Sequence, residues 1–425
     1  MDRYFGLLGI IFILGISYLM SNNKKKISLK TVGNGLLLQF LLAVFVLKVP
    51  LGQMIFEKAG LFIQKILDFS MQGADFVFGV LTCNPHRMCE VFQSDIGIFA
   101  LKLIPATIFV MILVNILYYY GIMQRVIAVL GKAMYKIMNV SGAEALSNVA
   151  SSFVGQIVAQ IMVKPYLAGM TRSEILASMT GSMACIAGAV MAIYISIGIP
   201  AEYLLAASIM AAPGALVISK IVYPETEESE TKESVKIETE KAHVNVLDSI
   251  AQGASEGMNI SIKVIATLIA LIALISMIDW IFGGFGLFLQ NVLHLNLSFI
   301  GIDLSHLSLK MILGRIFSIF AYLMGVPLHQ ASAVGSLLGT KFAFNETIAY
   351  FDLVKLTTLS HKSYVIAVFA LCGFANITSI AIQIGGIGEM APSRRKDLAE
   401  LGFRALICGT FASYISACMA GILCG

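Results

Sequence analysis

The chain has 425 residues, of which 58% are hydrophobic and only 13% charged, with 29 lysines and arginines against 25 aspartates and glutamates. A mean hydropathy of +0.86 excludes a water-soluble globular domain. The net charge of +4 comes from short basic clusters beside apolar runs, which the positive-inside rule explains without a nucleic-acid partner.

A helix needs roughly 20 apolar residues to cross a bilayer, and the first candidate lies at 4–20, followed by Lys24, Lys25 and Lys26. That order places the amino terminus outside, and with no cleavage pattern after the apolar run it reads as an uncleaved membrane helix. Further spans are expected at 31–49 and 96–120. The polar stretch 82–95 between them is expected to be extracytoplasmic. Its Cys83 and Cys89 form either a disulfide or two free thiols. The other cysteines, at 185, 372, 408, 418 and 424, sit in or beside apolar segments as small hydrophobes and form no metal-ligand pattern.

From Met123 to Lys136 the apolar residues recur at helical spacing, while Arg125, Lys132 and Lys136 share the polar side, as in a helix lying on the cytoplasmic surface. Residues 141–170, interrupted by Gly142, Gly155 and Pro165, are too long for a turn and too broken for a span, so a re-entrant hairpin is expected. A broken span at 174–199 and a full span at 201–223 come next. The run 224–243 carries seven glutamates and three lysines and is a solvated, cytoplasmic linker. After it come a long apolar helix at 246–282, a mixed stretch at 291–306, a second gapped segment at 309–338 and a last span at 402–423. Arg394, Arg395 and Lys396 put the start of that span in the cytoplasm.

Two matched interruptions organise this series: Ser182-Met-Ala-Cys-Ile-Ala-Gly188 and Leu371-Cys-Gly-Phe-Ala-Asn376. Backbone left unpaired in lipid has to be buried in protein or line a wet cavity, so paired breaks point to a solute site near the midplane between inverted repeats. The expected organisation is therefore N-terminal scaffold spans at 1–122, a first repeat at 123–223, the linker at 224–246, a long scaffold helix at 247–285 and a second repeat at 286–425. The expected fold is an all-α polytopic membrane protein, an inverted repeat with two re-entrant hairpins and two broken helices. The expected activity is secondary transport, not enzymatic, because no nucleophile with an adjacent base and no metal cluster is present.

Several motifs resemble the concentrative nucleoside transporter family. They are Phe153-Val-Gly-Gln156, the run Gly339-Thr-Lys341 to Asn345-Glu346 with Ala349-Tyr350, and Cys372-Gly-Phe-Ala-Asn376 through Ser379. Ala211-Ala-Pro-Gly214, Tyr223-Pro-Glu-Thr226 and Ala391-Pro-Ser-Arg-Arg395 extend the match in order along nearly the whole chain. The resemblance implies a homotrimer of protomers with eight spans in the bacterial inner membrane, importing nucleosides by an elevator-like movement. It places base contacts at Gly155, Gln156 and the run Ile157-Val158, an apolar wall at Val190, and further contacts at Phe374, Asn376 and Ser379, with Asn376 on the ribose. Asn376 and Ser379 also suit a second role, tying up backbone freed by the break. Lys341, Asn345 and Glu346 carry the family signature and are read as a structural hydrogen-bond network.

Two departures stand out against the family pattern. The base-reading glutamate aligns with Val158, and the glutamate of the second hairpin that binds ribose aligns with Gln330, so both carboxylates are expected to be missing. The implied sodium ligands fall on Ser151, Val154, Cys185 and Ile186; a thiol is a soft donor for a hard ion, so sodium coupling is weakened and proton coupling, with His329 as the titrating group, is the alternative. The substrate is then a nucleoside, or a related small polar solute such as a modified nucleoside or a nucleobase. A binding protein that does not transport is the remaining alternative.

Overall fold

The computed structural model describes residues 2–79, 81, 99–232, 244–291, 304 and 307–424. Cys83 and Cys89, the middle of the linker and most of the mixed stretch after the long helix lie outside the described residues, which contain helices and no strands.

The first helices are α1 (Asp2–Leu19), α2 (Leu29–Leu47), α3 (Pro50–Phe78) and α4 (Phe99–Tyr119). Ser28 caps α2 by accepting from the Thr31 amide at 3.2 Å, and Pro50 opens α3, where its missing N–H costs nothing. Helix α3 has no counterpart among the sequence expectations. Its charged residues fall on a face away from the buried Gly52, Gly60, Leu67 and Ala74, so its composition is too mixed for a uniform apolar span.

Helix α12 (Val246–Asn291) runs 46 residues and crosses α4 at close range. A methyl on Gly253 would lie 2.7 Å from Ile112 Cα, and one on Gly257 2.5 Å from Ile108 Cα, the small-xxx-small geometry that lets two membrane helices approach backbone to backbone. Asn115 Nδ2 donates to Glu256 Oε2 at 2.9 Å across the same crossing.

Between these lie α5 (Ile122–Met138), α6 (Gly142–Val154), the short α7 (Val158–Ile161) and α8 (Lys164–Leu167), α9 (Arg172–Ala184), α10 (Gly188–Ser196) and α11 (Ala201–Val222). The second half has α13 (Leu309–Leu323), α14 (Leu328–Ala343), α15 (Glu346–Lys355), α16 (His361–Leu371), α17 (Ile377–Met390) and α18 (Arg395–Leu423). Both series have the same order: a peripheral helix, a hairpin, a helix broken near its middle, and a long final helix. The second hairpin is displaced from the expected segment 309–338. Helices α13 and α14 meet at 118°, and the hairpin is α14 with α15, its turn at Phe344 and Asn345.

Burial separates two populations of apolar helix. The spans Arg172–Ser196, Ala201–Val222 and Pro392–Leu423 are more than four-fifths buried, whereas Val246–Asn291 is 11% buried. The buried helices form the centre around the breaks; the exposed apolar faces of α12, including Ile262, Ile269 and Trp280, require lipid or another protein surface. In the centre, three carbonyls around the end of α16 receive side-chain donors. Lys341 Nζ reaches Ala370 O at 2.8 Å, Tyr350 Oη reaches Val368 O at 2.9 Å and Ser413 Oγ reaches Cys372 O at 2.7 Å.

Candidate functional site

The two broken helices touch at their breaks. The Phe374 amide donates to Cys185 O at 3.3 Å, and Gly373, at φ +123°, lies where a Cβ would sit 2.5 Å from Ala184 O. Each hairpin brings its turn to this crossing. In the first, α6 ends at Gly155, whose φ of +89° redirects the chain and whose Cβ position is 2.8 Å from that of Ala187. Next to it, Gln156 Nε2 donates to Ser379 Oγ at 3.2 Å in the first turn of α17.

In the second hairpin, Asn345 caps α15 by accepting from the Ile348 amide at 3.1 Å, which sets Glu346 at the first helical position, where the helix dipole favours a carboxylate. Glu346 is buried and accepts from Tyr194 Oη at 2.7 Å and from Asn376 Nδ2 at 3.1 Å. Asn376 Oδ1 in turn caps α17, accepting from the Ser379 amide at 2.9 Å, Ser379 Oγ at 3.1 Å and Thr378 Oγ1 at 2.6 Å. Gln156, Ser379, Asn376, Glu346 and Tyr194 are thus one hydrogen-bonded chain drawn from both hairpins and both broken helices. One end is open: Gln156 Oε1 is buried and has no hydrogen-bond partner among the described residues, an acceptor available to a ligand donor.

The other expected site residues divide. Phe374 is half-buried at the crossing, and Val190 is half-buried in the first turn of α10. Ile157 packs on Gly386 of α17, and Val158 is 43% exposed at the start of α7. Gln330 does not join it. It sits in the first turn of α14, where Nε2 donates to Thr358 O at 3.4 Å and Oε1 accepts from Ser360, at the foot of the hairpin, beside the exposed His329. The expectation that the second-hairpin carboxylate is missing is therefore corrected: Glu346 stands at the hairpin turn. Gln330 lies in the first turn of α14, whereas the hairpin turn lies at the other end of that helix, at Phe344 and Asn345.

Tyr194 went unsignalled in the sequence. It lies four residues after Val190 on the same face of α10, a spacing that marks the pair as neighbours once the break is known. Lys341 is buried, and its Nζ donates to Ala370 O at 2.8 Å.

Two of the four residues expected around sodium, Ser151 and Cys185, have their side-chain heteroatoms beside other buried polar groups. Ser151 Oγ donates to Ser147 O at 2.7 Å and lies 3.1 Å from Ser182 Oγ, while Cys185 Sγ lies 3.1 Å from Ser152 Oγ and 3.9 Å from Ser208 O. The two side-chain heteroatoms are engaged with different neighbours, and one is a soft thiol.

Known proteins of one family match the chain along nearly its whole length. Family models described as "Na+ dependent nucleoside transporter C-terminus" and "N-terminus" match residues 203–421 and 8–81, and one described as "Nucleoside recognition" matches 100–201. The chain is 38% identical to the putative nucleoside permease NupX of Escherichia coli over the whole of both chains, and 36% identical to the nucleoside permease NupC of Helicobacter pylori over 99% of this chain and 98% of that one. Among solved structures it is similar to CNTnw in an inward-facing substrate-bound state, with a TM-score of 0.91 at 40% identity, covering 100% of this chain and 98% of that one. A variant of that protein in an outward-facing state matches with a TM-score of 0.90 at 39% identity.

Proposed function

The chain belongs to the concentrative nucleoside transporter family, and we propose that its solute is a nucleoside bound where the two hairpin turns meet the two broken helices. It is a multi-pass transporter of the bacterial inner membrane, not an enzyme, and it works by alternating access of the elevator type. The observation that carries the substrate reading is the pairing of a buried carboxylate, Glu346, with the amide of Asn376, at the end of a chain that begins in the orphaned Gln156 Oε1. A ribose presents vicinal hydroxyls, which suit a carboxylate and an amide together. A base presents a donor for the Gln156 oxygen. Fixed donors and acceptors in an apolar surround select for a polar, uncharged solute. Uptake of a labelled nucleoside panel into proteoliposomes tests this; no uptake of any member sinks the reading.

Val158 favours a second reading, a modified nucleoside or a nucleobase, because a valine replaces the carboxylate implied for base recognition. Val158→Glu is expected to tighten uridine binding about tenfold in a calorimetric titration, the scale of one hydrogen bond to a charged group. An unchanged affinity, with a non-nucleoside solute binding better, would favour the second reading.

Sodium dependence belongs to the family by the descriptions of its models, but Ser151 and Cys185 are spent on internal hydrogen bonds here. Exchanging sodium for choline is expected to change parental uptake by less than about twofold, since a short hydroxyl and a soft thiol stand at two of the four expected ligand positions. The Ser151→Asn, Cys185→Ser variant is expected to gain stimulation by sodium. Strong stimulation of the parent would overturn this expectation.

We also propose a homotrimer, with the exposed apolar faces of α4 and α12 divided between subunit contacts and lipid. The family resemblance and the low burial of these two helices support it.

A further inference from the structure

Gln160 is fully buried in α7, on the return limb of the first hairpin. Both ends of its amide are engaged. Nε2 donates to Ser182 Oγ at 2.7 Å, and Oε1 accepts from Ser178 Oγ at 2.6 Å, both on α9. Ser182 connects this amide to the rest of the hairpin: its hydroxyl donates to Gln156 O in the turn at 3.3 Å and lies 3.1 Å from Ser151 Oγ on the outgoing limb. Ser151 donates onward to Ser147 O at 2.7 Å.

Outgoing limb, turn and return limb therefore converge on one serine of the broken helix, and every group in the chain is neutral. A hydroxyl oxygen that already receives an amide N–H has less lone-pair density for a cation, and an amide hydrogen directed at that oxygen opposes positive charge nearby. Both polar ends of the buried Gln160 amide are satisfied, and buried hydrogen bonds of this kind rigidify what they join.

We propose that Gln160 is a positioning residue that locks the first hairpin onto the first broken helix by hydrogen bonds alone, so that the substrate site is assembled without a bound metal cation. The proposal rests on the carrier reading. It goes further in assigning to one side chain of this chain the ordering of the hairpin, and with it the position of Gln156 against Ser379.

The test compares the full-length protein with Gln160→Leu and Gln160→Glu, reading uridine uptake in proteoliposomes in sodium or choline, and amide hydrogen exchange across 155–163. Gln160→Leu is expected to lower uptake about tenfold in either salt, with faster exchange confined to that segment. Gln160→Glu keeps the shape but places a carboxylate among hydroxyls and carbonyls, so its uptake is expected to rise with sodium or with acid, either of which neutralises a buried charge. Should the leucine variant fail to fold, Ser178→Ala removes one of the two bonds and is expected to act in the same direction more weakly. Parental uptake and parental exchange in Gln160→Leu would overturn the proposal, as would indifference of Gln160→Glu to both sodium and pH. Absence of uptake by the parent would instead sink the carrier reading, and the exchange comparison would still report on the lock.

Discussion

Glu346→Ala is expected to lower uridine uptake about a hundredfold, because a charged hydrogen-bonding group contributes on the order of 3 kcal/mol and each 1.4 kcal/mol is tenfold. The substitution removes the carboxylate from the turn of the second hairpin and leaves Tyr194 Oη and Asn376 Nδ2 without their acceptor. Tyr194 Oη keeps Thr347 Oγ1 at 3.1 Å, and Asn376 Oδ1 keeps its three donors, so the hairpin and helix α17 retain their caps. The loss is therefore expected in substrate affinity and transport, with the melting temperature moving less. Glu346→Gln keeps the size without the charge and is expected to lose about tenfold, since a neutral acceptor makes the weaker bond. Gln330→Ala is the contrasting variant. Gln330 ties the foot of the hairpin to Thr358 and Ser360, and its removal is expected to leave uridine affinity within about twofold. Calorimetric titration of the three proteins decides. An inactive Gln330→Ala beside a fully active Glu346→Ala would return the ribose contact to Gln330.

Gly373→Val is expected to destabilise the protein by about 4 kcal/mol, the sum of a strained left-handed backbone and an overfilled contact. The φ of +123° belongs to a region that side chains disfavour, and an added Cβ would lie 2.5 Å from Ala184 O and 2.9 Å from Met183 O, both backbone atoms of the other broken helix. Neither can withdraw without opening the crossing, because the Phe374 amide is bonded to Cys185 O one residue away. Against a total stability of roughly 5–15 kcal/mol, such a change is expected to abolish accumulation of folded protein. Gly284→Ala provides the comparison: on α12 nothing lies within 4 Å of the added methyl, and alanine is the better helix former, so stability is expected to hold or rise slightly. Thermal unfolding in detergent separates the two, and a parental melting temperature for Gly373→Val would show that the breaks do not pack as described.

The bilayer made much of this architecture legible in the chain itself. Apolar runs of spanning length, basic clusters at their ends and small residues where two runs are interrupted are local signals, and each has a local cause: a span must satisfy its backbone internally, and a break needs room. The first hairpin was legible for the same reason, since Gly155 is required by a turn with positive φ. Helix α3 escaped because one of its faces meets protein and the other carries charge, which dilutes the apolar signal over its length. The second hairpin and its carboxylate escaped for a different reason. Position along the chain does not say which of two bends is the turn, and Glu346 finds its hydrogen-bond partners in Asn376, thirty residues on, and Tyr194, more than 150 residues back. The same holds for Gln156 and Ser379, 223 residues apart. Periodicity encodes which face of a helix is buried; it does not encode which buried polar group meets which. That pairing is decided when two broken helices cross and each hydrogen-bonding group, shut away from water, must find its partner on another element.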